Sequence, residues 1–255
     1  MNDLMVPGPV APPAARRGGG PAPLVHTAAV TTGGTLAWVG WVWLLAALGY
    51  GAAVAVISFV GERDTSLWQV AVATWQRWLM LAAGTTMTTT FAPMLITNGV
   101  TRARLARSVV VCAVAVGLLG GLFLGAGFAV ESVVFAGFGW PRALSNGVSF
   151  DSAAAVCRLG AAYGLGLSAW FVSGWLAGLA RHVRESAFAI LLVPALVPAV
   201  LAEGLVLGGV GAFVLPFIPD WRFPFAVGAP VVVTVLGLAC VAGVRASREI
   251  SLVHR

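Results

Sequence analysis

The sequence predicts an all-α, polytopic membrane protein of six transmembrane helices, with a short re-entrant or interfacial element between the fifth and sixth. Three observations carry that reading. Of the 255 residues, 59% are hydrophobic and only 9% charged. Uncharged apolar stretches longer than ~18 residues recur along the chain, each long enough to cross a hydrocarbon layer of ~30 Å. The polar knots between them are short and built around arginine. Lipid offers no partner to a bare N–H or C=O, so stretches of this kind are read as helices that satisfy their own backbone.

Met1 to Pro23 is dominated by Pro, Ala and Gly, with Arg16-Arg17 followed by three glycines. Such a stretch buries too little to fold. Residues 1–34 are accordingly read as a disordered cytoplasmic tail, with no export signal, because Gly18-Gly19-Gly20-Pro21 follows the arginine pair where an apolar run is needed. The six-helix domain is placed at 35–248 and a short cytoplasmic C-terminal tail at 249–255.

The first span runs from about Thr35 to Val60, and Trp38, Trp41 and Trp43 suit a headgroup belt at its start. Ser66 to Val100 is too long for one crossing and contains Arg77, a charge costing ~2.5 to 3.5 kcal/mol at mid-membrane. Trp68 to Trp78 is therefore read as an interfacial amphipathic piece, with the second crossing from about Trp78 to Asn98. The third span is Ser108 to Val130, ended by Glu131, and the fourth is Leu159 to Ala180. Ser186 to Pro219 as one helix would reach ~50 Å, yet it falls short of the ~40 residues that two crossings need. The consistent solution is a fifth crossing from Ser186 to about Leu201, kinked near Pro194 and Pro198, then a shorter piece from Gly204 to Pro219 that lines protein or a wet cavity. The last span is Phe223 to Val244.

All fifteen basic residues are arginine, and the net charge is +6. Six crossings put both termini on one side, together with Arg102, Arg104, Arg107, Arg181, Arg184, Arg245 and Arg248. The opposite side carries Arg63, Arg77, Arg142, Arg158 and Arg222, so the termini are expected in the cytoplasm of a bacterial cell. Loop arginines facing anionic lipid explain the basic balance without a nucleic acid.

Small residues repeat every four positions at Gly117, Gly121 and Gly125 and again at Gly160, Gly164 and Ser168, stripes that suit close helix contact inside the bundle. Thr85, Thr86, Thr88, Thr89 and Thr90 give the second span unusual polarity. Their hydroxyls can bond the preceding turn's carbonyls, or Thr85, Thr86 and Thr89 can line a translocation face. Glu131 and Glu203 are the carboxylates closest to the hydrophobic zone, candidates for a coupling role and both expected near the outer boundary.

Catalytic constellations are absent. His26, His182 and His254 fall in a tail, a loop and the C-terminus, Cys112, Cys157 and Cys240 are widely spaced, and the chain has neither a lysine nor a P-loop. No metal, cofactor or enzymatic activity is expected.

The segment Asn98-Gly99-Val100-Thr101-Arg102-Ala103-Arg104-Leu105-Ala106-Arg107 gathers three arginines between two apolar spans. Thr101 is placed to cap a helix, which sets Arg102 and Arg104 in its first turn, where the macrodipole disfavours cations by ~0.3 to 1 kcal/mol each. An external anion must reward them. Lipid headgroups offer ~1 kcal/mol per arginine, and an acidic groove on a docked protein is the more specific alternative.

The run from Phe91 to Arg107 resembles the second-span exit and first cytoplasmic loop of six-span membrane proteins related to ABC-2 type transporter permeases. Glu131 with Gly139-Trp140, and Gly174-Trp175-Leu176-Ala177-Gly178 before the Arg181/Arg184 loop, are similar to a branch common in high-GC bacteria. The similarity spans Thr35 to Arg248, with Ala103 standing where that branch often has a second arginine. It implies a half-transporter in which Asn98, Gly99, Thr101, Arg102, Arg104 and Arg107 form the coupling element for a separate P-loop ATPase, with Arg181 and Arg184 in the second cytoplasmic loop. It further implies a homo- or heterodimer of permease subunits moving a hydrophobic or amphipathic substrate. A non-transporting immunity or regulatory membrane protein is the alternative class.

Overall fold

The computed structural model describes residues 24–57, 64–145, 147–183, 188–206 and 224–249. Among the described residues six helices carry the fold: α1 (Leu24–Ile57), α2 (Gln69–Thr97), α3 (Arg102–Phe138), α4 (Ala153–Val183), α5 (Phe188–Leu205) and α6 (Phe225–Glu249). Five of them, all but α5, are long and apolar enough to cross a membrane, and α5 is a shorter apolar helix. The chain is therefore a membrane-embedded helical protein. The described residues form no strand, and their β-type pairing is an isolated antiparallel bridge, Ala143 with Ser149.

α1 begins at Leu24, so residues 24–34 are helix and not the tail that composition suggested. Thr27, Thr31 and Thr35 are buried at four-residue spacing. The Thr31 hydroxyl donates to the Thr27 carbonyl at 3.0 Å and the Thr35 hydroxyl to the Thr31 carbonyl at 2.8 Å, the back-bonding that lets threonine ride in an apolar helix. Residues 1–23 and 250–255, which hold the rest of the two predicted tails, lie outside the described residues.

The largest correction concerns α2. The predicted interfacial piece at Trp68 to Trp78 is instead the first part of one helix running through to Thr97, and Arg77 is inside the bundle at 6% exposure. Two wider π turns interrupt α2, at Gln69–Ala73 and Met87–Phe91. The second has a local cause: Pro93 has no N–H to donate and its ring crowds the carbonyl four residues back, so the preceding turn widens. α5 likewise continues through Pro194 and Pro198. There the Ala199 N–H finds an outside acceptor, the Ser173 hydroxyl of α4, at 3.3 Å.

α4 is the hub, packed against α2, α3, α5 and α6. Of its most apolar stretch 61% is buried, against 17% for α1 and α6. Both predicted glycine stripes explain this, because they meet each other: a Cβ on Gly121 would fall 2.6 Å from the Gly160 carbonyl and one on Gly164 would fall 2.6 Å from the Gly117 carbonyl. Ser168 donates to the Ala113 carbonyl at 3.0 Å along the same seam. On the opposite side Gly84 of α2 lies against the backbone of Phe171 and Trp175 in α4, and Gly174 of α4 against the backbone of Leu81 in α2. Without side chains between them the helices approach closely and gain dispersion contacts, which replace the hydrophobic drive that lipid removes.

Trp43 also departs from its expected headgroup position. It is buried, stacks on Phe123 with ring centroids 5.0 Å apart, and its indole N–H donates to the Gln76 side chain. Trp38 and Trp41 remain exposed. The predicted re-entrant piece, Gly204 to Pro219, lies outside the described residues from position 207 onward.

Candidate functional site

Three polar arrangements stand out against the apolar bundle. The first surrounds Glu131 on α3, which is fully buried rather than near water as expected. Its carboxylate accepts from the Tyr50 hydroxyl of α1 at 3.1 Å, from the Trp68 backbone N–H at 2.9 Å, and from the Ser66 hydroxyl. Trp68 is held in turn by Leu124, whose carbonyl accepts its indole N–H at 3.1 Å, and its ring occupies the space left by the missing side chain of Gly127.

The loop between α3 and α4 closes over this end of the bundle. Gly139 ends α3 in the left-handed region at φ 70°, a geometry that favours glycine. The Ser66 N–H then donates to the Ala143 carbonyl at 2.8 Å, and Gln69 exchanges bonds of 2.8 and 3.0 Å with Ser145. Phe150 packs between Phe128 and Phe135. Glu131 thus ties α1, the entry to α2 and α3 into one sealed polar knot.

The second arrangement pairs Arg77 of α2 with Glu203 of α5, Nη1 to Oε2 at 3.5 Å, both largely buried. The other carboxylate oxygen accepts the Trp170 indole N–H of α4 at 2.9 Å. The Arg77 guanidinium also stands 5.9 Å from the Trp78 ring, within range of a cation–π contact. Sequence reading missed this pair because each charge was moved separately to the membrane surface.

The third is the basic corner between α2 and α3. The Val100 N–H donates back to the Leu95 carbonyl at 3.0 Å, the Gly99 N–H to Ile96 at 2.9 Å, and Gly99 turns at φ 84°. Asn98 donates to the Met94 carbonyl at 2.7 Å. Thr101 caps α3 as its residue type predicted, its hydroxyl accepting from the Arg104 N–H at 3.4 Å. A small apolar cluster of Ala92, Leu95, Val100 and Leu105 packs beneath. On this ordered corner Arg107 is exposed and Arg102 and Arg104 are half-buried. Arg181 is exposed near the end of α4, while Arg184 lies outside the described residues.

Four of the five clustered threonines of α2 use their hydroxyls on backbone carbonyls. Thr85 donates to Leu81 and Gly174, Thr86 to Ala82, Thr88 to Trp175 and Thr89 to Thr85. They serve helix cohesion and the α2–α4 contact. Among the described residues no three His, Cys, Asp or Glu side chains group closely enough to hold a metal ion.

These features define a polytopic, helical membrane protein with buried charge in its interior and a basic corner at one edge. Comparison with protein-family models, curated proteins and solved structures finds no match to this chain.

Proposed function

We propose that this protein is the membrane-spanning permease subunit of an ABC-2-like transporter, energised by a separate P-loop ATPase and seated in a bacterial cell membrane with both termini cytoplasmic. The observation that carries the proposal is the ordered basic corner. Arg102 and Arg104 stand in the first turn of α3, where the helix dipole disfavours them, on a corner held by a glycine turn, a threonine cap and an apolar cluster beneath. An ordered, cationic corner of this kind suits an acidic groove on a soluble partner better than diffuse lipid headgroups, which require no fixed geometry. The ATPase supplies the chemistry, and two permease subunits flank the path of a hydrophobic or amphipathic substrate.

Replacing Arg102, Arg104 and Arg107 together by glutamine tests it. Membrane insertion is expected to persist while co-purification of an ATPase is lost. Unchanged co-purification overturns the reading.

A second reading is favoured by the threonine geometry. The Thr85, Thr88 and Thr89 hydroxyls donate to backbone carbonyls rather than into a substrate path, which suits a non-transporting immunity or regulatory protein that binds another membrane component. Absence of any ATPase from gentle pull-downs of the unaltered protein would favour it.

A further inference from the structure

Four buried side-chain polar atoms among the described residues lack a hydrogen-bond partner, and two of them, Arg77 Nε and Tyr163 Oη, belong to residues walling the same cavity. Both residues are more than nine-tenths buried, Arg77 at 6% and Tyr163 at 5% exposure. The remaining wall includes Thr74, Leu167, Trp170 and Glu203. The Thr74 hydroxyl already donates to the Gln69 carbonyl and the Trp170 indole to Glu203, each at 2.9 Å, so neither donor competes for this space. The cavity leaves about 20 Å³ for the centre of a water molecule. One water needs roughly 10 to 15 Å³ and two to four polar partners.

We propose that this cavity is a site for one water molecule and that Glu203 takes up and releases a proton through it. The water accepts from Arg77 Nε–H and from Tyr163 Oη–H and donates to the Glu203 carboxylate, which satisfies both orphaned donors. Arg77 and Glu203 neutralise each other, so an anion has no net charge to answer here. On uptake an external hydronium ion gives a proton to the lone pair of this water that the turning Tyr163 O–H has freed, its own O–H bond breaking as it leaves as water. The cavity water's O–H bond towards Glu203 then breaks, the electron pair stays on the water oxygen, and that proton forms a new O–H bond on a Glu203 oxygen.

The neutral acid then no longer answers Arg77, and the attraction tying α5 to α2 weakens. Proton uptake is in this way coupled to the seating of α5. From α2 the charged group facing Glu203 is Arg77. Among the described residues α4 presents the neutral Tyr163 and Trp170, and Arg245 and Arg248 of α6 stand at its C-terminal end. The Glu203 side chain keeps 13% of its surface exposed, so the site stands at an edge where the external proton reaches the cavity water. Intramembrane ionisable residues held by a specific partner commonly mark such relays.

The test is infrared difference spectroscopy between acid and neutral pH on the full-length protein in phosphatidylcholine and phosphatidylglycerol nanodiscs. A carboxylic C=O band is expected on acidification, lost in Glu203→Gln and kept in Glu131→Gln. Tyr163→Phe, which preserves the ring, is expected to shift the band's titration midpoint and to abolish a water O–H stretch that moves in ¹⁸O-water. A band that survives Glu203→Gln, or a midpoint and water band unmoved by Tyr163→Phe, overturns the proposal. Should Glu203→Gln fail to fold, the Tyr163→Phe arm decides alone. Neither readout involves an ATPase, so this result and the permease reading succeed or fail separately.

Discussion

Arg77 on α2 and Glu203 on α5 form an ion pair with Nη1 3.5 Å from Oε2, both largely buried inside the helix bundle. Removing one partner strands the other charge in the protein interior, a loss of ~3 to 5 kcal/mol for pairs of this kind. Arg77→Ala is therefore expected to lower thermal stability sharply in nanodiscs. The double variant Arg77→Met with Glu203→Leu should be more stable than either single substitution at those positions. A double variant no better than the singles would show that the pair is not the source of the loss.

Glu131 accepts from three donors on two chain segments besides its own helix. Glu131→Gln keeps one acceptor oxygen but turns the other into an NH₂ aimed at groups that already donate. A cost of ~1 to 3 kcal/mol is expected, read as a lower midpoint of thermal unfolding. Tyr50→Phe should recover part of that loss in the Glu131→Gln background, because it removes one of the opposed donors.

The α3–α4 seam predicts strict size limits. Gly121→Val would drive a side chain into the Gly160 carbonyl 2.6 Å away and the Gly164 Cα 3.0 Å away, costing ~1 to 3 kcal/mol or more through overpacking. Gly137, on the same helix with nothing within 4 Å of its Cβ position, serves as control. Gly137→Ala should be neutral or slightly stabilising, and equal loss at the two positions would contradict the seam.

At the basic corner, Thr101→Ala removes the acceptor for the Arg104 N–H. Loss of such a cap costs ~0.5 to 2 kcal/mol. Faster amide exchange is expected at Arg102 to Leu105 with the rest of α3 unchanged. Uniform exchange along the whole helix would mean that the corner is not locally held.

Much of this architecture was legible in composition and spacing. Apolar stretches marked the helices because a membrane imposes length and polarity limits on any chain that crosses it. Thr101 was readable as a cap from its residue type, and the glycine stripes from their four-residue period, since both depend on neighbours within a few turns. Glu131 and Arg77 were misplaced for one reason. Each was judged alone, and a lone charge belongs at the membrane surface.

The sequence by itself determined that this is a helical membrane protein and which residues bring helices close, while the described helices extend up to about three turns beyond the predicted spans. Only the tertiary structure decided that Arg77 lies in the interior, that Glu203 answers it, and that Tyr50, Ser66 and Trp68 converge on Glu131. The reason is energetic. Burying a charge is unfavourable in isolation and tolerated in company, and its partners here come from helices far apart in the chain.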